Sequence, residues 1–179
     1  MKEVRVHDKD FVELLSEEDI QARVVNLSEQ LNRDYADNFP LMIPILNGAF
    51  IFAADLLRAL SFDPEIRFMR LSSYGGSMKT SGKIRNLLDL NTNIEGRDVL
   101  IIEDIVDTGN TLKWLREHLT EKGARSVKIA CLLFKHEMFK LDTPPEYFCF
   151  KIPSEFVVGY GLDYAEQGRS LRSIYKVKE

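Results

Sequence analysis

The chain has 179 residues, 45% hydrophobic and 29% charged, enough apolar material for the core of a single domain spanning 1–179 and too much for a disordered chain. Its net charge of −4 argues against a protein held to nucleic acid by bulk electrostatics. The polar start and the lack of any run of about 18 apolar residues exclude a signal-like segment and a helical membrane span, so a cytoplasmic protein without membrane partners is expected. Cys131 and Cys149 lie in apolar runs and read as reduced core residues. His7, His118 and His136 are scattered and make no zinc pattern.

Ser16 followed by Glu17, Glu18 and Asp19 reads as a helix start, with acids at the positive end of the dipole. Ile20, Val24, Leu27 and Leu31 continue it at helical spacing. Leu41 to Leu46 is a short apolar run that predicts a buried strand, broken by Asn47-Gly48. Phe50 to Leu60 is apolar nearly all round, which predicts a buried helix. Glu65 to Leu71 alternates as a half-exposed strand does. Ser72 to Arg85 is too polar for a core element and too long for a tight turn, which predicts a mobile loop. Val99 to Ile102 is a β-branched strand, Asp107-Thr108-Gly109 a turn, and Leu112, Leu115 and Leu119 mark a helix that Gly123 stops. Val127 to Phe134 is a further buried strand. Tyr147 to Ile152, Phe156 to Gly159 and Ile174 to Val177 follow as short ones. Strands alternating with helices predict an α/β fold, a mainly parallel sheet covered on both faces, with the C-terminal third as a small hood. Ligands in such folds bind at the carboxyl ends of the strands.

The strongest chemical signal runs from Val99 to Thr111. A buried strand delivers Glu103 and Asp104 to its end, and a turn of Asp107, Thr108, Gly109, Asn110 and Thr111 leads into a helix. Such a turn is a phosphate cradle: glycine permits close backbone approach, and hydroxyls and free N–H groups at the helix start donate to phosphate oxygens. The two acids suit ribose hydroxyls or a hydrated Mg²⁺ bound through oxygen. Taken one at a time, each of these residues also fits a plain strand end or helix cap. No lysine follows the glycine, which disfavours a P-loop nucleotidase.

Val99 to Thr111 resembles the phosphoribosyl-pyrophosphate motif of the type I phosphoribosyltransferases. The chain as a whole is similar to the hypoxanthine-guanine branch of that family, in order from about Leu41 to Arg169. The segments that carry the likeness are Leu46-Asn47-Gly48, Ser72-Ser73-Tyr74, the acidic motif, Leu132-Leu133-Phe134-Lys135, and Phe156 to Tyr164. The last of these points to the purine branch. The resemblance implies the type I phosphoribosyltransferase fold and transfer of a phosphoribosyl group from phosphoribosyl pyrophosphate to a 6-oxopurine, with Mg²⁺, a nucleotide product and a homodimer or homotetramer. It implies Asp107 as the general base, or the acceptor of the base's imidazole proton. Thr108, Gly109, Asn110 and Thr111 would hold the 5′-phosphate. Glu103 and Asp104 would face the ribose hydroxyls and the metal, joined at the metal by Asp163. Lys135 would donate to the 6-oxo group, Phe156 would stack on the purine, and the Val157 backbone would read its edge, with Asp163 nearby. Asn47, Gly48 and Arg169 would bind pyrophosphate, and Ser73 and Tyr74 would belong to a closing lid. Asn47 stands where relatives often carry lysine, so a charged contribution from that position is not expected. Other bases (xanthine, adenine, a pyrimidine) and a non-catalytic binding protein of the same fold remain as alternatives, with Lys135, Phe156 and the intact acids against them.

Overall fold

A computed structural model describes residues 2–73 and 84–178. The larger sheet has six strands in the order β5-β4-β3-β6-β7-β8. They are β3 (Leu41–Leu46), β4 (Met69–Ser73), β5 (Ile84–Leu88), β6 (Asp98–Val106), β7 (Ser126–Phe134) and β8 (Tyr147–Lys151). All neighbours run parallel except the β4–β5 pair. The helices are α1 (Glu17–Asp34), α2 (Phe50–Ala59) and α3 (Asn110–Glu121). α1 starts as predicted, with the Ser16 hydroxyl accepting from the Asp19 N–H at 3.1 Å.

Period-two alternation along the strands divides the core between the two faces. Leu100 and Ile102 pack with Val24, Leu27 and Phe52 beneath α1 and α2. Val99 and Ile101 pack with Leu112, Leu115 and Leu119 beneath α3. The chain leaves β3 toward β4 on one side and later returns to add β6 on the other. That switch opens a crevice at the strand ends, where open α/β sheets bind ligands.

The hood is a four-stranded sheet, β1-β2-β10-β9, from β1 (Glu3–Val6), β2 (Lys9–Leu15), β9 (Val157–Val158) and β10 (Ile174–Val177). Both ends of the chain build it, whereas the sequence reading assigned it to the C-terminal third alone. Its small core is Val6, Phe11, Val158 and Tyr175.

Other boundaries move as well. The strand expected over Glu65–Leu71 forms only from Met69, and Ile66 contributes a single bridge to Met42. The polar stretch Ser72 to Arg85 is not all loop: Ser72 pairs with Arg85 and Ser73 with Ile84 in the β4–β5 hairpin. The rest of that stretch, Tyr74 included, lies outside the described residues. β6 runs on to Val106, so Glu103 and Asp104 lie within the strand and Asp107 is the first residue past it.

Candidate active site

The position of Glu103 and Asp104 inside β6 sends the two acids to opposite faces. Glu103 is buried on the α3 side, 5% exposed. Asp104 faces the loop between β3 and α2, so closely that a Cβ on Gly48 would overlap its carboxylate. A Cβ on Gly161 would in turn overlap the Gly48 carbonyl oxygen. Two glycines thus bring β6, the Asn47–Gly48 loop and the hood together. The Leu46–Asn47 peptide bond is cis.

A cleft of about 500 Å³ opens over this contact, lined by Asn47, Gly48, Glu103, Asp104, Thr111, Asp163 and Arg169. Arg169 crosses its hood side. Its guanidinium pairs with Asp163 at 2.8 Å and Glu166 at 3.2 Å, and donates to the Gly161 carbonyl at 2.9 Å. Asp163 also accepts from the Glu166 N–H at 2.8 Å. Burial pushes the Asp104 carboxyl up to about 6, with hydrogen bonds from the backbone N–H groups of Ile105 and of Asp104 itself, and the Arg169 charge, working against the rise. Burial and the neighbouring Asp104 push Glu103 well above the usual carboxylate range. Among the described residues, no three acid, histidine or cysteine side chains converge into a metal cage made of protein alone.

A second group sits at the ends of β6 to β9. The ladder pairs Val106 with Phe134 and Phe134 with Lys151. The residues that follow β6 and β7, Asp107 and Lys135, are therefore neighbours. The Lys135 N–H donates to the Val106 carbonyl at 2.9 Å, and its ammonium lies 3.5 Å from Asp107 Oδ2. The other oxygen, Asp107 Oδ1, is buried without a hydrogen-bond partner among the described residues. From β8 the chain passes through Ile152, whose N–H donates to the Phe134 carbonyl at 3.0 Å, toward Phe156 and Val157. Phe156 is 44% exposed, and its ring rests edge-on against Tyr164 at 5.6 Å and near Phe11 at 6.2 Å. Val157 is buried and pairs with Lys176 of β10.

Between the groups lies the turn Thr108 to Thr111. Gly109 has φ +90, a conformation that suits glycine, and it ends against Phe139 and Leu141. α3 begins immediately after it, so free N–H groups point out of the turn. The matches with known proteins fit this layout. A model of the phosphoribosyl transferase domain matches residues 12–165. A hypoxanthine-guanine phosphoribosyltransferase of Streptococcus pyogenes is 46% identical over 166 residues, 93% of this chain and 92% of that one. The chain belongs to the hypoxanthine-guanine phosphoribosyltransferase family.

Other members of that family agree closely. The hypoxanthine-guanine phosphoribosyltransferase of Streptococcus thermophilus is 45% identical over 96% of each chain. The crystal structure of a Bacillus anthracis hypoxanthine-guanine phosphoribosyltransferase superposes with a TM-score of 0.87 at 42% identity, covering 93% of this chain and 98% of that one. Against this hypoxanthine-guanine phosphoribosyltransferase frame, the expected residues fall into two sets. Asn47, Gly48, Glu103, Asp104, Thr111, Asp163 and Arg169 share the cleft, while Asp107, Lys135, Phe156 and Val157 stand beside it. Asp163 belongs with Arg169. Two residues at the cleft escaped the sequence reading. Glu166 pairs with Arg169 through a turn invisible in the sequence, and Arg70 could have been found from its alternation with buried Met69.

Proposed function

We propose that the chain transfers the phosphoribosyl group of phosphoribosyl pyrophosphate to hypoxanthine or guanine, releasing pyrophosphate and the purine nucleotide, and that residues 1–179 act as one domain. The observation that carries this reading is the Asp107–Lys135 pair, a carboxylate and an ammonium 3.5 Å apart with one buried, unpartnered acceptor oxygen. A 6-oxopurine presents an oxo acceptor and a ring N–H donor side by side on one edge. Lys135 meets the first and Asp107 the second. Adenine would set an amino donor against the ammonium, which has nothing to accept with.

Phe156, half exposed and braced at its edge, offers the face on which the base stacks, and the Val157 backbone reads its far edge. Thr108, Gly109, Asn110 and Thr111 hold the 5′-phosphate through N–H and hydroxyl donors. Asn47, Gly48 and Arg169 take the pyrophosphate, and Glu103 and Asp104 face the ribose. As the bond between the anomeric carbon and the pyrophosphate oxygen loosens, positive charge gathers on the ribose, and these carboxylates stabilise it. The purine nitrogen replaces the departing oxygen at that carbon, and the imidazole proton passes to the Asp107 carboxylate.

Mg²⁺ fits the same residues. Burial pushes both Glu103 and Asp104 toward the neutral acid, a cost that a bound cation offsets, and every donor is an oxygen, as a hard ion prefers. Asp104 and Asp163 would hold the ion together with substrate oxygens, while Glu103, which the sequence reading grouped with them, lies on the opposite face of β6. Bound there, it supplies charge neutralisation for the leaving pyrophosphate. A homodimer or homotetramer completes the reading, with exposed Phe50 and Phe68 as apolar surface for subunit contact.

Pyrophosphate release with hypoxanthine, guanine, xanthine and adenine in turn tests the proposal, with Mg²⁺ and with excess chelator. Turnover of 6-oxopurines that stops in chelator is expected. Equal use of adenine, or full turnover without a divalent cation, contradicts it.

A further inference from the structure

The charges lining the cleft are unbalanced. Its described walls carry four carboxylates, Glu103, Asp104, Asp163 and Glu166, and two guanidinium groups, Arg70 and Arg169. Arg169 is already committed, held by Asp163 and Glu166 and by the Gly161 carbonyl. Arg70 is different. It is exposed, and among the described residues no carboxylate stands within ion-pair distance of it. Nearby Arg67 and Arg97, by contrast, both close on Glu65 at 2.7 Å.

The strand register sets where Arg70 can act. In β4, Met69 and Leu71 turn to the α3-side core, which sends Arg70 to the other face. Leu46 is its register partner in β3. Pro44 of β3 pairs with Ile102 of β6, and the same register continued sets Leu46 beside Asp104. Arg70, Leu46 and Asp104 therefore form one row across the carboxyl end of the sheet, on the face where the Asn47–Gly48 loop stands. At the usual strand spacing, Arg70 and Asp104 are roughly 10 Å apart with that loop between them. An anion seated on the loop lies within reach of the long Arg70 side chain. The row also points away from Lys135: the base end of the site lies toward β7 and β8, and Arg70 lies on β4, at the opposite side.

We propose that Arg70 is a pyrophosphate-binding residue, the uncommitted cation among the described residues of the cleft, which draws the leaving group toward β4 and away from the base. This rests on the reading of the cleft as the pyrophosphate site. Asn47 brings no charge to the loop, and Arg169 is internally neutralised, so among the described residues Arg70 supplies the free positive charge there. Its forked guanidinium suits phosphate oxygens.

Direct titration of pyrophosphate, with Mg²⁺ present, on the full chain tests this, together with KM for phosphoribosyl pyrophosphate and for hypoxanthine. Arg70→Gln should weaken pyrophosphate on the order of 10-fold or more and raise KM for phosphoribosyl pyrophosphate in step, as loss of a charge-assisted contact does. KM for hypoxanthine should stay within about 2-fold, which a general loss of structure would not allow. Arg70→Lys should keep most of the affinity. Asn47→Lys placed in the Arg70→Gln background, which returns a cation to the next strand end, should recover it. Pyrophosphate affinity unchanged in Arg70→Gln while Arg169→Gln loses it overturns the role of Arg70 and leaves the cleft reading intact. Unchanged affinity in Arg70→Gln, Arg169→Gln and Gly48→Val alike overturns both. Equal losses in Arg70→Lys and Arg70→Gln, with no recovery by Asn47→Lys, also overturn the proposal, because charge would then not be what Arg70 supplies.

Discussion

Replacing Gly48 by alanine adds one methyl group at the tightest contact of the cleft. The added carbon would overlap the Asp104 carboxylate. That carboxylate has little freedom, since its Oδ1 accepts from the Ile105 N–H at 2.7 Å. The loop has little either, because the Gly48 carbonyl is packed against Gly161. Either Asp104 turns and gives up its backbone bond, or the loop lifts off β6. Overpacking of this kind costs about 1–3 kcal/mol, which for a chain of this size lowers Tm by roughly 2–12 °C. The effect on catalysis should be larger. A misplacement of about 1 Å at a substrate-positioning loop costs on the order of 10²-fold in kcat/KM, here for phosphoribosyl pyrophosphate and not for the base. Thermal unfolding and steady-state kinetics read the two effects separately. Adding Asp104→Ala to Gly48→Ala should recover much of the lost stability by making room, without recovering activity. Gly48→Ala with an unchanged Tm and unchanged kcat/KM would falsify the argument that this contact shapes the site.

Asp107→Asn keeps the size of the side chain and removes the proton acceptor, so kcat should fall roughly 10²–10⁴-fold while nucleotide binding changes little; near-normal kcat takes Asp107 out of the chemistry. Lys135→Ala should damage use of hypoxanthine and guanine and narrow the gap to adenine, and a variant with its full preference intact shows that another group reads the base. Asp98→Asn concerns stability alone. Arg125, Ser126 and Asn38 hydrogen-bond the Asp98 carboxyl and hold it well below the usual carboxylate range, against the opposing effect of burial. A depressed folded pKa gives stability that is present above the unfolded value, about 3.9, and lost as pH falls through the folded one. The variant should therefore melt lower than the parent at pH 7, with the gap closing as the pH drops below about 4; a constant gap across that range would count against the linkage.

Where side-chain period and apolarity coincide, the sequence was readable. α1, β3, α3 and β7 came through within a residue or two because each buries one stripe or a continuous run. The N-terminal hairpin did not, since Glu3-Val4-Arg5-Val6 is a short charged edge strand whose apolar partners, Val158 and Tyr175, lie far along the chain. β5 went unread: its first two residues fall in a stretch whose composition reads as loop, and its pairing with β4 leaves Arg85, Leu87 and Leu88 exposed. At the site, the residue types were legible and their grouping was not. Glu103 and Asp104 look like a pair in sequence, yet strand alternation separates them, and the neighbour that Asp104 meets is Gly48, through a contact that only the assembled sheet creates.

The hood carries a consequence for how the molecule is made. β10 is the last strand of the chain, yet it stands between β2, the second strand, and β9, with Lys178 donating its N–H to the Asp10 carbonyl at 2.8 Å. A nascent chain that stops short of Ile174 has every strand of the large sheet and every acid of the cleft, but nothing to join β2 to β9, so the aromatic shelf of Phe11, Phe156 and Tyr164 is left in two halves. β10 acts as a keystone: a chain cut before Ile174 keeps the large sheet and leaves the hood unjoined.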